Sequence, residues 1–293
     1  MKTALRAKGI EIVGDATPRA PLSNQLNLGE LYPPKRGDEH RVANRSDFKK
    51  IEVGALIAGG GIAGSALFRY MADSGLNPVL VNADRGSSWR NIGGGRTAFS
   101  LPELAEIAEH NHAIFKELQK MSNIDYKTTR YINLAHDEAT FNALDASRAW
   151  SDAYMVDPKN FQKEISPYFS TKSKRYLGAL ITNDCWQATP GKVVDLIRNM
   201  GISSGGRIVE DCKVLEVMKE GSTYSILVLT HDKKYVEFRT EIFVNALGAG
   251  AGKICEGLGI HAGLYPVRHQ AFITRRLPML GKNGDSLDML IDR

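Results

Sequence analysis

Three glycines, Gly59, Gly61 and Gly64, have the spacing that binds a dinucleotide pyrophosphate when it lies between a strand and a helix. The apolar run 53–58 precedes them, and a segment with helical spacing of apolar residues follows. The first glycine allows a tight bend, the second lets the backbone approach phosphate, and the third lets the helix pack close to the strand. N–H groups at the start of the helix add donors. The pattern predicts dinucleotide binding; the alternative is a glycine-rich turn in an unrelated α/β core.

The residue expected to bind the ribose departs from this pattern. Segment 78–82 is predicted as the next strand, and the position 23 residues after Gly59, where an acidic residue is expected, holds Asn82. Asp84 follows two residues later. An asparagine can still bind a ribose hydroxyl, but more weakly than a carboxylate does. The ribose contact is therefore predicted to be imperfect.

A loop of small residues, 87–96, helps to distinguish a flavin from a nicotinamide cofactor. It contains two serines and three consecutive glycines. A flavin that continues past the pyrophosphate requires the backbone to approach its ribityl chain and ring edge, whereas a nicotinamide does not need such a loop. The loop favours FAD, and the alternative is a flexible surface loop.

The elements that must position these motifs predict an α/β fold. Segments 53–58, 62–75 and 78–82 form a βαβ unit, and 241–246 is a further buried strand, followed by a second glycine-rich turn. The other predicted helices are 102–120, 137–149 and 190–200; the other predicted strands are 131–134 and four short antiparallel strands at 208–209, 213–218, 224–230 and 234–239.

Together these motifs resemble the FAD-dependent D-amino acid oxidase superfamily, which includes glycine and sarcosine oxidases and amino acid dehydrogenases. The similarity covers roughly residues 52–278. Residues 244–251 resemble the strand that returns to the cofactor, and Val214 occupies the position of a main-chain adenine clamp. Asp184-x-Trp186 and segment 265–271 also match. The resemblance implies a Rossmann-type FAD-binding domain interleaved with an antiparallel-sheet substrate domain.

The resemblance also implies domain boundaries and cofactor contacts. The FAD-binding domain is predicted at 51–130 and 190–262, the substrate domain at 131–189 and 263–293, and an N-terminal extension at 1–50. The predicted FAD-binding residues are Gly59, Gly61, Ile62, Ala63, Gly64, Asn82, Ala83, Ser88, Arg90, Asn91, Gly93, Gly94, Gly95, Val214, Ala246 and Gly248. Segment 86–90 is similar to dimethylglycine and sarcosine dehydrogenases, in which a histidine after the tryptophan is joined to FAD. Arg90 stands at that position, so FAD is predicted to be non-covalent.

The implied reaction is oxidation of an amine or amino acid C–N bond by hydride transfer to the flavin. The alternatives are FAD-dependent oxidation of a 2-hydroxy acid or glycerol phosphate, and an FAD-holding subunit or fragment that needs a partner chain. Because the family continues beyond Arg293, we expect an incomplete substrate domain that a partner chain could complete. The sequence identifies neither a catalytic residue nor the electron acceptor.

Composition excludes several other function classes. Of the net charge of +5, most lies in residues 1–50, which hold ten Lys and Arg against six Asp and Glu, so no nucleic-acid partner is predicted. Three dispersed cysteines and no long apolar segment predict a soluble cytoplasmic protein. His110 and His112 are two positions apart on a helix, so we expect them to face solvent and predict no metal site.

Overall fold

The computed structural model describes residues 48–83, 86–99, 101–170, 175–267 and 288–292. The described strands are β1 (Lys50–Glu52), β2 (Ala55–Ala58), β3 (Pro78–Val81), β4 (Gly94–Gly95), β5 (Lys127–Ala135), β6 (Ala153–Val156), β7 (Gly178–Gln187), β8 (Arg207–Val209), β9 (Lys213–Glu220), β10 (Thr223–Leu229), β11 (Tyr235–Thr240), β12 (Phe243–Asn245) and β13 (Met289–Ile291). The described α-helices are α1 (Ile62–Asp73), α2 (Pro102–Met121), α3 (Glu138–Ala146), α4 (Phe161–Glu164), α5 (Pro190–Ser203) and α6 (Ala251–Gly257). None of them is long and apolar enough to cross a membrane.

The chain divides into two compact units. Among the described residues, the first comprises 48–83, 86–90 and 194–267, and the second comprises 91–99, 101–170, 175–193 and 288–292. Residues 91–130, which we predicted in the FAD-binding domain, cluster with the second unit. They do so because β4 and the start of β5 both pair with β7. All but the last three residues of the predicted extension, 1–50, lie outside the described residues.

A parallel sheet of order β12-β2-β3-β8 forms the centre of the first unit. The predicted βαβ unit is confirmed, and β2 is buried on both faces: Leu56 packs into one apolar cluster and Ile57 into another with Phe68 of α1. The prediction that 208–209 is antiparallel is wrong, because β8 pairs in parallel with β3. The pattern of a three-residue strand does not reveal its partner, whereas the helix α5 before it permits a parallel crossover.

A second sheet, of order β1-β11-β10-β9, lies in the same unit. Its last three strands form the antiparallel meander that the sequence predicts, and β1, which was not predicted, adds to β11 in parallel. Side chains of this sheet, among them Ile226, Val228 and Phe238, share one apolar core with Leu56 and Val79 of the parallel sheet. The meander therefore covers one face of the parallel sheet.

The second unit is built on a sheet of order β13-β5-β7-β4, with β6 also paired to β7. The helix predicted at 102–120 is confirmed as α2, whereas the helix predicted at 137–149 ends as α3 at Ala146 and continues as a 3-10 turn. The long strand β7 was not predicted, because Thr182, Asn183 and Asp184 interrupt its apolar pattern. Of the predicted strand entering the substrate sheet at 265–271, residues 265–267 have no regular structure, and the rest lies outside the described residues.

Candidate functional site

The turn between β2 and α1 requires glycine at its first and last positions. Gly59 has a φ of +105°, and a Cβ placed on it would lie 2.2 Å from the carbonyl oxygen of Ala246. A Cβ on Gly64 would lie 1.9 Å from the carbonyl oxygen of Gly59. The structure therefore brings Gly59, Gly64 and Ala246 together, and the close approach of helix to strand is the role expected of the third glycine.

Gly61 and Ser88 meet at the start of α1. The Oγ atom of Ser88 accepts a hydrogen bond from the N–H of Ile62 at 2.9 Å, and it is also 2.9 Å from a Cβ placed on Gly61. Gly61 has a φ of −68°, so no left-handed conformation demands glycine there. Because the first N–H groups of a helix have no carbonyl partner within it, this end of α1 can present backbone N–H donors to an anion.

Asn82 links the glycine turn to an acidic residue that sequence reasoning missed. It is 8% exposed; its Oδ1 accepts from the N–H of Gly60 at 3.2 Å, and its Nδ2 donates to Oε2 of Glu210 at 2.8 Å. Arg198 of α5 donates to the other carboxylate oxygen of Glu210. Glu210 follows β8 directly, so recognising β8 as a parallel strand would have placed this carboxylate at the same edge of the sheet.

Two buried polar atoms near these residues lack hydrogen-bond partners. They are Nε1 of Trp89 and Nε of Arg198, and neither has a partner among the described residues. The guanidinium of Arg198 lies 5.8 Å from the ring centre of Trp89. Buried donors are normally paired in folded proteins, so this pair of side chains is suited to contact a polar ligand.

The predicted adenine clamp lies on a strand with one open edge. Val214 belongs to β9 and pairs with Val228 of β10, which is the single neighbour of β9 in the described part of its sheet. Backbone groups on the other side of β9 can therefore bind a ligand. The N–H of Cys212 donates to the carbonyl oxygen of Asn82 at 2.9 Å, which places the start of β9 beside the end of β3.

Cys212 is a packing residue rather than a nucleophile. Burial, followed by the charges of Asp211, Asp232 and Glu210, raises the pKa of its thiol to about 12. At neutral pH the thiol is therefore protonated and unreactive. Cys185 is buried as well, and burial also raises its pKa.

The remaining glycines of the predicted flavin loop pack within the second unit. A Cβ on Gly93, which has a φ of +73°, would lie 2.1 Å from the carbonyl oxygen of Ala188. A Cβ on Gly94 would lie 2.4 Å from the hydroxyl of Tyr131, and one on Gly95 would lie 2.1 Å from the ring of Trp186. Packing within the second unit thus accounts for these three glycines without a cofactor. Contact with FAD stays a prediction for all sixteen residues named for it, including Ala83, Arg90, Asn91 and Gly248.

His112 does not face solvent, contrary to the prediction. It is 3% exposed and stacks on Trp186, with ring centres 4.4 Å apart. Its ring nitrogens lie 2.6 Å from the Tyr126 hydroxyl and 3.4 Å from a carboxylate oxygen of Asp184. Burial lowers the pKa of His112 below 6.5, although the charge of Asp184 opposes this shift. The signal was available, because His112 follows the buried Ala108 by four residues on the same helical face.

A cavity of about 450 Å³ lies within the second unit. Its lining includes the guanidinium-bearing Arg96, the polar residues Asn133 and Thr140, and several apolar side chains. Arg96 lies over the ring of Phe99, 4.5 Å from its centre. Sequence reasoning did not single out Arg96, although it is the cation that ends the glycine loop. The cavity combines a positive charge with an apolar wall, so it can accommodate a small anion that has an apolar part.

Comparison with known protein families matches residues 55–291 to DAO, FAD dependent oxidoreductase. The chain belongs to this family. The predicted resemblance, the α/β fold and FAD as the family's cofactor are therefore confirmed.

DAO-family relatives differ in the substrates that their names state. The chain is 27% identical over 240 residues to anaerobic glycerol-3-phosphate dehydrogenase subunit A1 of Haloferax volcanii. It is 23% identical over 238 residues to 4-methylaminobutanoate oxidase (formaldehyde-forming) of Paenarthrobacter nicotinovorans. These alignments cover 72% and 78% of this chain, but only 39% and 28% of the relatives.

Solved structures of the DAO type share the fold. L-proline dehydrogenase from P. horikoshii has a TM-score of 0.61 at 19% identity, and glycine oxidase from Geobacillus kaustophilus has 0.59 at 18%. The FAD-bound L-α-glycerophosphate oxidase of Mycoplasma pneumoniae has 0.55 at 18%. The matches cover 71–72% of this chain and 57–58% of those chains.

The first unit has the features that the family's cofactor requires. The Gly59–Gly64 turn leaves no space for side chains at its two ends, and α1 presents N–H donors. The buried Nε1 of Trp89 and Nε of Arg198 have no hydrogen-bond partner among the described residues. The open edge of β9 can hold a flat base through its backbone. These residues fit FAD.

Proposed function

We propose that the first unit holds FAD non-covalently and that the protein oxidises the C–N bond of an amine or amino acid. The proposed FAD site rests on the glycine turn, which packs against the backbone of Ala246 and is hydrogen-bonded to Asn82. The N–H donors at the start of α1 add to it. Bound FAD would supply the hydride acceptor for this oxidation. The chain's own residues bind the cofactor and orient the substrate.

The cavity of the second unit supports the substrate half of the proposal. The guanidinium of Arg96 can pair with a carboxylate, and the apolar lining can hold the carbon skeleton of an amino acid. In this role Arg96 fixes the orientation of the substrate and leaves the chemistry to the cofactor. Arg96→Met is expected to raise KM roughly tenfold to a hundredfold, because a charge-assisted hydrogen bond is lost. Arg96→Lys is the matched control, since it keeps the charge and should retain most of the affinity.

A substrate panel tests the reaction class. FAD-loaded protein is mixed without oxygen with primary and secondary amino acids of both configurations and with glycerol 3-phosphate, and the flavin absorbance is followed. Bleaching by an amino acid supports the proposal. Bleaching by glycerol 3-phosphate alone supports the second candidate, C–O oxidation, which the Haloferax volcanii relative and the glycerophosphate oxidase structure favour.

A third candidate is an FAD-holding subunit that needs a partner chain. The relative named as a subunit favours it, and the chain spans less than half of either curated relative. Flavin that binds but is bleached by no substrate, combined with a larger complex in size-exclusion chromatography of the native protein, supports this candidate.

The mode of FAD attachment can be tested separately. Arg90 stands where related dehydrogenases carry the linking histidine, so acid precipitation is expected to release the yellow cofactor into the supernatant. Flavin that stays with the protein pellet would show a covalent link at another residue.

A further inference from the structure

Glu210 lies at the carboxyl end of β8, at the edge of the parallel sheet, where the dinucleotide-binding pattern assigns no residue. The glycine turn follows β2, Asn82 follows β3, Glu210 follows β8, and these three strands are neighbours in the order β2-β3-β8. Ligands of such sheets bind beyond the carboxyl ends of the strands. Glu210 therefore stands one strand beyond the usual ribose-binding position.

Asn82 is already engaged by the protein. Its Oδ1 accepts from Gly60, and its Nδ2 donates to Glu210. An amide that bridges two protein groups is a weak acceptor for a diol, because its oxygen is shared and carries no net charge. Asn82 stands at the position that normally supplies the ribose acceptor, but here its side chain holds Glu210 in place instead.

Glu210 has the properties that Asn82 lacks. Each of its carboxylate oxygens is fixed by one donor, from Arg198 on one side and from Asn82 on the other. Each oxygen has a second lone pair left for a hydroxyl. The side chain of Glu210 is 49% exposed, so a ligand can reach it, whereas that of Arg198 is 10% exposed and is held in place.

We propose that Glu210, positioned by Asn82 and Arg198, accepts hydrogen bonds from the ribose hydroxyls of the adenosine half of FAD. This inference rests on the proposed FAD site. The order along the sheet edge is then pyrophosphate at the glycine turn, ribose at Glu210, and adenine at Val214, which lies four residues further along the chain. Asn82 is a positioning residue that acts through Glu210.

The test measures selectivity for the ribose hydroxyls. Apoprotein is titrated with FAD, and ADP, 2′-deoxy-ADP and 3′-deoxy-ADP are compared as competitors. Wild-type protein is expected to bind ADP roughly tenfold more tightly than at least one deoxy analogue, because a charge-assisted hydrogen bond is lost. Glu210→Gln is expected to weaken ADP binding by a similar factor and to abolish the difference between ADP and that analogue.

Control variants separate recognition from folding. Glu256→Gln changes an exposed acid on α6 in the same unit and should leave the selectivity intact. If Glu210→Gln does not fold, Glu210→Asp keeps the charge beside Arg198 but shortens its reach, and it should reduce the preference for ADP.

The failures of the two proposals are distinguishable. Equal wild-type affinity for ADP and both deoxy analogues overturns the role of Glu210 while leaving the FAD site intact. A Glu210→Gln variant that weakens all three nucleotides equally shows a purely structural role and also overturns it. Failure of wild-type protein to bind FAD overturns the proposed cofactor site itself.

Discussion

Two groups of glycines in this chain look alike in the sequence but meet different surroundings. In the first unit, Gly59 and Gly64 are confined by backbone carbonyls, of Ala246 and of Gly59 itself. In the second unit, Gly94 and Gly95 are confined by the side chains of Tyr131 and Trp186. Backbone cannot move aside without breaking the sheet, whereas a side chain can change its rotamer.

The role of Gly59 and Gly64 could be predicted from the sequence, whereas the packing of Gly94 and Gly95 could not. A turn between a strand and a helix is a local structure, so the spacing of its glycines indicates its geometry directly. Gly95 is next to Trp186 because β4 pairs with β7, and this contact joins residues 91 positions apart. No local pattern contains that information.

The largest effect is expected for Gly64→Ala. The added Cβ would lie 1.9 Å from the carbonyl oxygen of Gly59, so α1 must move away from β2. We expect the free energy of unfolding to fall by about 3 kcal/mol or more, with loss of FAD from the purified protein. Thermal unfolding and the flavin-to-protein absorbance ratio measure both effects.

Gly61→Ala is the matched control for that change. Among the described residues, its Cβ would meet only the side chain of Ser88, and its φ of −68° suits alanine. The variant should fold normally and lose FAD affinity only in part, because the Ser88 hydroxyl can rotate away. Equal destabilisation of the two variants would refute the distinction between backbone and side-chain confinement.

A smaller effect is expected for Gly95→Ala. Its Cβ would meet the ring of Trp186 at 2.1 Å and push it from its stack on His112. We expect the free energy of unfolding to fall by about 1–3 kcal/mol and the tryptophan emission spectrum to change. Gly86→Ala serves as control, since among the described residues other than Gly86 and its chain neighbours no heavy atom lies within 4 Å of the added Cβ. An unchanged spectrum in Gly95→Ala would contradict the stacking argument.

Sequence reasoning succeeded where burial and periodicity act within a single element. The strand at 53–58 and the helix at 102–120 were predicted within two residues of their observed ends, because β2 is buried on both faces and α2 has an apolar stripe. It failed where the partner decides the structure. Strand β8 was assigned the wrong direction, and β7 was missed, since its pairing with β5, β6 and β4 stabilises a polar stretch.

The same limit applies to the candidate site. The spacing placed Asn82 at the ribose position, but Glu210 became visible only when β8 was found beside β3. Likewise, the buried position of His112 depends on Trp186 and Tyr126, which reach it from β7 and from the segment after α2. Motifs indicate where a ligand lies, whereas tertiary pairing determines which side chains surround it.

The smallest expected effect concerns the pH dependence of stability in the second unit. His112 is buried, so its pKa in the folded protein lies below the value of 6.5 that it has in the unfolded chain. As the pH falls through 6.5, the unfolded chain binds a proton that the folded protein does not yet accept, and stability is lost until the lowered pKa is reached. Above 6.5 the contribution is constant. Asp184 limits the loss because its negative charge favours the protonated ring, whereas Lys116 opposes it.

Replacing His112 with Phe keeps the stack on Trp186 but removes the titrating group, so Tm should fall less steeply on acidification than in wild type. His110→Phe, an exposed position on the same helix, should keep the wild-type slope. Identical slopes in wild type and His112→Phe would show that another group controls the acid sensitivity of this unit.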